Sequence, residues 1–275
     1  MDGLGREAQR WRLPSCRGRL LGAVKQSLGV AVSRRGETPT NRGPLAPARA
    51  SYTREDQMAH WTSVQTAAGA NVKSTLSVVD DLLAYMGTGK GKPSKQERAI
   101  FASAVVFTYG VWESYVEDLA IELASNLSAT ISPEKVPQQV REMLESSSAW
   151  ELGVHPGWRR LWVHKVSVLA KGEGESYGLN TANAKQVGRL FKAVGVGTVI
   201  DEISTVVVPA HMSSKSKTAE AAVDELVRLR GEIVHTGAVP TTLKKHHSRE
   251  WRQFVEDLVA DVDRTCRSSC ALLLK

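Results

Sequence analysis

The stretch SKQERAIFASAVVFTYGVWESYVEDLAIEL, residues 94–123, decides the fold class. It opens with Ser94 and Glu97, which have the spacing of a capping box at the start of a helix. Apolar residues then follow mostly at steps of three to five, among them Ile100, Val105, Trp112, Val116, Leu119 and Leu123. This pattern predicts a long core helix. Its longest uncharged apolar run, 99–112, is shorter than the roughly 18–20 residues of a membrane span, so we expect it to be buried in protein.

Apolar residues also have helical spacing between residue 53 and this stretch, and in the sequence that follows it. No convincing alternating run predicts a strand. The chain is therefore expected to be all-α. A short helix is predicted from Ser132 and Pro133 to Leu144, and another follows the Trp-rich stretch of Trp150, Trp158 and Trp162 and ends before the polar loop 171–176. The other helices are predicted over 54–86, 183–194, 218–236 and 242–273. The segment 198–207 fits a helix or a strand, and we favour a helix.

Positive charge is concentrated at the N-terminus. Residues 1–50 contain ten Lys/Arg and three Asp/Glu, whereas residues 51–275 contain 26 of each. The first segment is also rich in Gly and Pro, so 1–52 is predicted to be a disordered basic tail and 53–275 a helical domain. The tail could bind RNA, resemble an organellar transit peptide, or result from a start codon placed upstream of Met58. Because residues 51–275 have no net charge, we expect no long basic groove on the helical domain.

Several kinds of chemistry are excluded by what the chain lacks. Its three cysteines, Cys16, Cys266 and Cys270, form no C-x-x-C pair, which argues against a disulfide framework and favours the cytoplasm. Cys266 and Cys270 are expected to be small buried residues. No H-E-x-x-H or G-x-S-x-G motif occurs, and the glycine-rich loop 87–92 lacks the spacing of a phosphate-binding loop. We therefore expect neither a metal nor a cofactor.

The remaining histidines give no metal pattern. His246 and His247 are adjacent, so they diverge by about 100° on a helix and are predicted to be solvated. His155, His164 and His211 have no partner that the sequence identifies, and we predict that they are structural.

One arginine and histidine pair lies at a helix end. Arg230 and His235 precede Gly237, where the predicted helix stops, and a histidine there meets the negative end of the helix dipole. The spacing alone is weak, because Arg159 and His164 repeat it. The alternative interpretation is that Arg230 pairs with Glu225 or Glu232 on the surface, while His235 caps the helix.

Three segments together resemble a known family. They are RGEIVHTG, residues 230–237; YGVWESYVEDL, residues 109–119; and NAKQVGRLFKAVGV, residues 183–196. They are similar, respectively, to the R-x4-6-H motif, the neighbouring aromatic and acidic helix, and the helix before the motif in the HEPN superfamily. The resemblance is to the RiboL-PSP-HEPN branch, found in prokaryotic toxin and defence systems, and it covers about 58–270.

The resemblance implies a HEPN-like helical bundle with extra helices, which dimerises so that two R-x4-6-H motifs face one cleft without a metal. Arg230 would hold the scissile phosphate and His235 would transfer the proton, while Tyr109 and Glu113 would orient the motif helix or fill the core. Active members usually have Asn, Asp or His after the arginine, where this chain has Gly231.

The expected function is a metal-independent endoribonuclease, a toxin or phage-defence effector with RNA as substrate. Expected partners are a second copy of the chain and an antitoxin protein, with no membrane. The chemistry is coherent on its own terms, because cleavage by the RNA 2′-hydroxyl needs an acid, a base and cationic donors, and a two-fold dimer supplies a pair of each residue. The alternative is a non-catalytic HEPN module that binds a protein or a nucleotide.

Overall fold

The computed structural model describes residues 54–85, 92–197 and 199–275. The predicted tail 1–52 and residues 87–91 of the glycine-rich loop lie outside the described residues. Regular structure in the described part is helical, and its one β-bridge is the isolated pair Glu173 and Ser176, which confirms the all-α prediction. The helices are α1 (Arg54–Ser63), α2 (Ala67–Ala84), α3 (Lys95–Thr130), α4 (Gln138–Met143), α5 (Ala149–Val154), α6 (Trp158–Lys171), α7 (Ala184–Val194), α8 (Ala219–Thr236) and α9 (Lys245–Leu274).

Helix α3 is the centre of the bundle, as its sequence predicts. The capping box is formed: Glu97 N–H donates to Ser94 Oγ at 3.1 Å, and Ser94 N–H donates to Glu97 Oε2 at 2.8 Å. The helix packs against α2, α6, α7, α8 and α9. Trp112 and Leu119 on α3 are fully buried. By length and composition α3 could also cross a membrane, but 56% of its most apolar window is buried inside the protein, as in core helices.

The prediction of one helix over 54–86 is wrong, because the chain breaks between α1 and α2. Thr66 caps α2, where its hydroxyl accepts from Gly69 N–H and donates to the buried carboxylate of Asp263. Glu122 accepts from the next two free N–H groups, those of Ala67 and Ala68, each at 2.9 Å. Two carboxylates far along the chain therefore reinforce a helix start that Thr66 caps locally.

Two further helix predictions are wrong in detail. The helix predicted over 132–144 is divided into a 3-10 turn, Pro133–Lys135, and α4, because Pro137 has no N–H to continue a helix. The described part of 198–207, residues 199–207, forms turns and not a helix. Val199, Ile200 and Ile203 are buried there. These apolar residues therefore fill the core from irregular backbone.

The start of α3 meets the end of α8 and the start of α9. Arg98 Nη2 donates to Val239 O at 2.8 Å, just beyond α8, and Ser248 Oγ on α9 donates to Phe101 O at 3.1 Å. Further along, Tyr115 Oη donates to Val259 O at 3.2 Å, so α9 runs parallel to α3. Cys266 and Cys270 on α9 are fully buried, as predicted, and burial raises the pKa of both thiols.

Candidate active site

Helix α8 carries the arginine and histidine pair, and local sequence sets both of its ends. Thr218 caps the start by accepting from Ala221 N–H at 3.2 Å. Leu226 and Leu229 are buried and fix the orientation of the helix. It ends at Gly237, whose φ of +62° lies in the left-handed region that favours glycine. The prediction for this helix is confirmed.

Arg230 lies over an aromatic ring of α3. Its guanidinium carbon is 5.2 Å from the ring centroid of Tyr109, within the range of a cation–π interaction. Arg230 is partly buried, and Tyr109 is buried. The interaction holds the arginine by its face, and so it leaves the N–H donors at the edge of the guanidinium available for a bound anion.

Tyr109 is held by two hydrogen bonds. Its hydroxyl donates to Glu113 Oε1 at 2.6 Å and accepts from Ala182 N–H at 3.0 Å. Burial, followed by the hydrogen bond to Glu113, raises the pKa of Tyr109, so the ring stays neutral at physiological pH. The structure thus brings Tyr109, Glu113 and Arg230 together, and it places the first two where they support the third.

The carboxylates that could neutralise Arg230 are bound to a different arginine. Arg228 Nη2 lies 2.8 Å from Glu225 Oε1, and Arg228 Nη1 lies 3.2 Å from Glu232 Oε2. Within the described residues, no Asp or Glu forms an ion pair with Arg230. The surface-pair interpretation of Arg230 is therefore wrong, because the i,i+3 and i,i+4 geometry of a helix favours Arg228 for both glutamates.

His235 lies exposed in the last turn of α8. The end of the helix is closed by other groups, since Gly237 N–H donates to Ile233 O at 3.0 Å and Thr236 Oγ1 donates to Glu232 O at 2.6 Å. In the part of the chain that is described, His235 has no hydrogen bond or ion pair. The ring is therefore accessible to a ligand and has no evident capping role.

Gly231 leaves open space beside that histidine. A Cβ at Gly231 would have one heavy-atom neighbour in the described structure within 4 Å, His235 Cδ2 at 3.9 Å. A Cβ at Gly231, which lies between the arginine and the histidine around the helix, is therefore accommodated at ordinary van der Waals distance. Arg230 and His235 themselves are about 140° apart around the helix, so a phosphate between them would be reached by the long arginine side chain.

The second pair with the same spacing has another role. Arg159 Nη1 donates to Ile131 O at 3.1 Å and to Ser128 O, two carbonyls at the end of α3. His164 Nε2 lies 3.5 Å from Glu173 Oε2. Both members of this pair therefore have a hydrogen-bond or ionic partner, whereas among the described residues Arg230 and His235 have neither.

Sequence reasoning missed Glu117, which follows Tyr109 and Glu113 at steps of four along α3. Burial, then repulsion from Glu113, raises the pKa of Glu117 to about 7. The opposing attraction of Lys171, whose Nζ lies 2.6 Å from Asp118 Oδ1, is weaker. The four-residue spacing on one helix face was the available signal.

The structure corrects the prediction for His247 and identifies a partner for His211. His247 is buried and not solvated: its ring stacks on His211 with centroids 3.7 Å apart and planes at 3°. His211 has a partner, because its Nδ1 lies 2.6 Å from Glu250 Oε2. Burial, followed by the charge of His211, lowers the pKa of His247 to about 4. His246 is exposed, as predicted.

The described residues contain no group of three or more His, Cys, Asp or Glu side chains that could hold a metal ion.

A comparison with family models gives a match over most of the chain. The family described as RiboL-PSP-HEPN matches residues 74–268, from within α2 to near the end of α9. The matched range contains Tyr109, Glu113, Arg230 and His235. No curated protein and no solved structure matches the chain.

Proposed function

Because the chain belongs to the RiboL-PSP-HEPN family, we propose that it is an endoribonuclease that cleaves RNA at Arg230 and His235 without a metal ion. The observation that carries the proposal is the contrast within α8. Arg228 is neutralised by two glutamates, whereas Arg230 lies over Tyr109 and forms no ion pair with a carboxylate of the described residues. An arginine in that state keeps its charge and its donors for a phosphate.

The proposed reaction is an internal transfer at phosphorus. The 2′-oxygen of the RNA attacks the adjacent phosphorus, the bond from phosphorus to the 5′-oxygen breaks, and a 2′,3′-cyclic phosphate and a 5′-hydroxyl are formed. One group takes the proton of the 2′-hydroxyl and another gives a proton to the leaving oxygen. His235 fits either role, and Arg230 stabilises the negative charge that develops on the phosphate.

We propose that the active form is a homodimer. One chain brings a single histidine to the site, while the reaction needs a base and an acid at the same phosphate. A two-fold axis would place a second copy of the α8 end opposite the first. In a mixture of Arg230→Ala and His235→Ala chains, any recovery of activity would show cooperation between chains, because the intact histidine and the intact arginine of each heterodimer come from different chains.

The biological setting that we propose is a toxin or phage-defence effector in the cytoplasm, held inactive by an antitoxin protein. A nuclease of this kind harms the cell that makes it. Expression of the wild-type chain should therefore arrest growth, and expression of His235→Ala should not.

Cleavage of mixed RNA by the pure protein in EDTA tests the activity. Arg230→Ala and His235→Ala should each lower the rate by about 10²–10⁴-fold, the usual contribution of an acid–base group or a charge-stabilising donor. Arg159→Ala and His164→Ala are matched controls, because they remove the same residue types at the same spacing. Equal loss in the two pairs, or activity that survives Arg230→Ala and His235→Ala, would refute the assignment.

Gly231 favours a second candidate function. Its missing side chain is consistent with a HEPN module that has lost cleavage and binds a protein or nucleotide partner instead. Since the space beside His235 Cδ2 is open, Gly231→Asn should fit and bring the chain closer to the active pattern. An inactive wild-type protein that gains cleavage in Gly231→Asn would support the binding module, whereas a wild type that already cleaves RNA excludes it.

A further inference from the structure

Although the helical domain has no net charge, four of its exposed cations lie near the starts of α3 and α9. Lys92 and Lys95 lie at the start of α3, Lys244 precedes α9, and Arg249 lies in its second turn; all four are exposed. None of these four cations forms an ion pair with a described residue. Elsewhere in the described structure cations are often paired, as Lys171 is with Asp118 and Arg267 with Asp263.

Tertiary contacts gather these cations at one end of the bundle. The bond from Ser248 Oγ to Phe101 O fixes the first turn of α9 beside α3. Arg249 shares a recess with Ala84, so the end of α2 lies there as well. We name this surface, formed by Lys92, Lys95, Lys244, Arg249 and the end of α2, the basic end.

Three acidic side chains near the basic end are bound to other groups, whereas Asp81 in the last turn of α2 is exposed and forms no ion pair with a described residue. Glu97 accepts from Ser94 N–H in the capping box, and Asp80 Oδ2 lies 2.8 Å from Arg252 Nη2. Glu250 is bound to His211. The four exposed cations outnumber Glu97 and Asp81, the two carboxylates there that form no ion pair with a described residue, so the basic end keeps a net positive charge toward solvent.

The basic end is continuous with the candidate active site. Arg98 Nη2 holds Val239 O, which is four residues beyond His235. The exposed ring of Tyr85, 87% accessible, follows the last residue of α2 and adds an aromatic surface. Lysines that contact phosphates together with an aromatic ring that stacks on a base are the usual elements of a single-strand binding surface.

We propose that the basic end binds the backbone of single-stranded RNA and leads it to Arg230 and His235. Lys92, Lys95, Lys244 and Arg249 contact phosphates, and Tyr85 stacks on a base. RNA as the ligand rests on the proposed function, since an acidic protein could meet the same cations. Phosphate contacts of this kind are independent of base sequence.

Binding is measured on the full chain in the His235→Ala background, which keeps the RNA intact. A fluorescent single-stranded RNA of mixed sequence is titrated by anisotropy at several salt concentrations. The double variant Lys95→Ala, Arg249→Ala should weaken binding about tenfold at low salt. It should also make the negative slope of log K against log salt shallower by about 1.4. Tyr85→Ala should weaken binding about fivefold or more, with little change in the slope.

The controls remove equivalent groups from another part of the surface. Arg160 on α6 and Lys192 on α7 are exposed and lie where α6 packs on the end of α3, so Arg160→Ala with Lys192→Ala makes the same change in net charge. Trp150→Ala removes an exposed aromatic ring on α5. These variants should bind RNA like the parent.

Equal losses in the basic-end and control variants would refute the proposal, as would binding of polyglutamate as tight as that of RNA. The result is separate from the test of cleavage. If the protein does not cleave RNA but shows these losses of binding, the nuclease proposal is refuted and the basic-end proposal is supported. If the protein cleaves RNA but binds it equally well without the Lys95 and Arg249 side chains, the nuclease proposal is supported and the basic-end proposal is refuted.

Discussion

The chain contains two arginine and histidine pairs with identical spacing, and the structure uses them differently. Arg159 and Arg230 both lie over aromatic rings, with guanidinium carbons 4.4 Å from the Trp158 ring and 5.2 Å from the Tyr109 ring. Arg159, however, is bound to two carbonyls at the end of α3, where the helix leaves acceptors without partners. Arg230, on α8, lies beside Tyr109 in the middle of α3. The carbonyls there are already bound within the helix.

The histidines repeat the contrast. His164 lies beside Glu173, whereas His235 has no ionic partner among the described residues. The difference shows that sequence spacing selects candidates, while the availability of acceptors decides which pair stabilises the protein and which remains available to a ligand. The predictions for Arg159 and Tyr109 below test this contrast, and those for His247 and Glu117 extend it to other side chains whose state is set by their neighbours in space.

The largest effect on stability is expected at Arg159. Arg159→Ala removes charged hydrogen bonds to Ser128 O and Ile131 O, and should lower the free energy of unfolding by about 2 kcal/mol. Arg230→Ala loses a cation–π contact and should cost about 0.5–1 kcal/mol. Urea unfolding of the two variants measures both values, and an equal loss would contradict the contrast.

The buried His247 should make stability depend on pH. The pKa of His247 is about 4 in the folded protein and about 6.5 when unfolded, so the unfolded state binds more protons between these values. Stability is therefore complete above pH 6.5 and falls as the pH decreases toward 4, by about 2 kcal/mol at pH 5. His247→Phe, which keeps a ring against His211, should reduce the difference between urea unfolding at pH 7.5 and pH 5. His246→Phe at the exposed neighbour is the control.

Removal of the Tyr109 hydroxyl should affect stability and activity together. Tyr109→Phe keeps the ring beneath Arg230 but leaves Ala182 N–H without its acceptor, which should cost about 1 kcal/mol. RNA cleavage should fall several-fold, because the ring is no longer fixed by Glu113. Tyr115→Phe is the matched control: it removes an equally buried hydroxyl, bound to Val259 O, and should cost similar stability without lowering the rate. A similar loss of rate in both variants would show that Tyr109 acts only through stability.

The smallest effect is expected at Glu117. Its folded pKa of about 7 lies above the ordinary glutamate value, so stability is complete below about pH 4.5 and decreases as the pH rises through 7. Glu117→Gln removes this penalty and should raise the melting temperature by about 2 °C at pH 8, with no gain at pH 4.5. Glu122→Gln on the same helix is the contrasting variant: it should lose stability, because the Glu122 carboxylate caps α2. A melting temperature that rises equally at both pH values would contradict the assignment to Glu117 ionisation.

The sequence by itself determined that the protein is helical and where most of its helices lie. Ser94 and Glu97 begin α3, Thr218 and Gly237 bound α8, and Asn183 and Gly195 bound α7, because caps and glycine turns act within a few residues of the chain. The same local rules, with the family resemblance, selected Arg230 and His235.

Tertiary structure decided the rest. The break before α2 depends on Asp263 and Glu122, and the state of His247 depends on His211, all distant in sequence. Whether an arginine keeps its charge for a ligand likewise depends on which acceptors lie within reach in three dimensions. Helix propensities and caps are local free energies, whereas burial and ion pairing depend on neighbours that only the packed chain brings together.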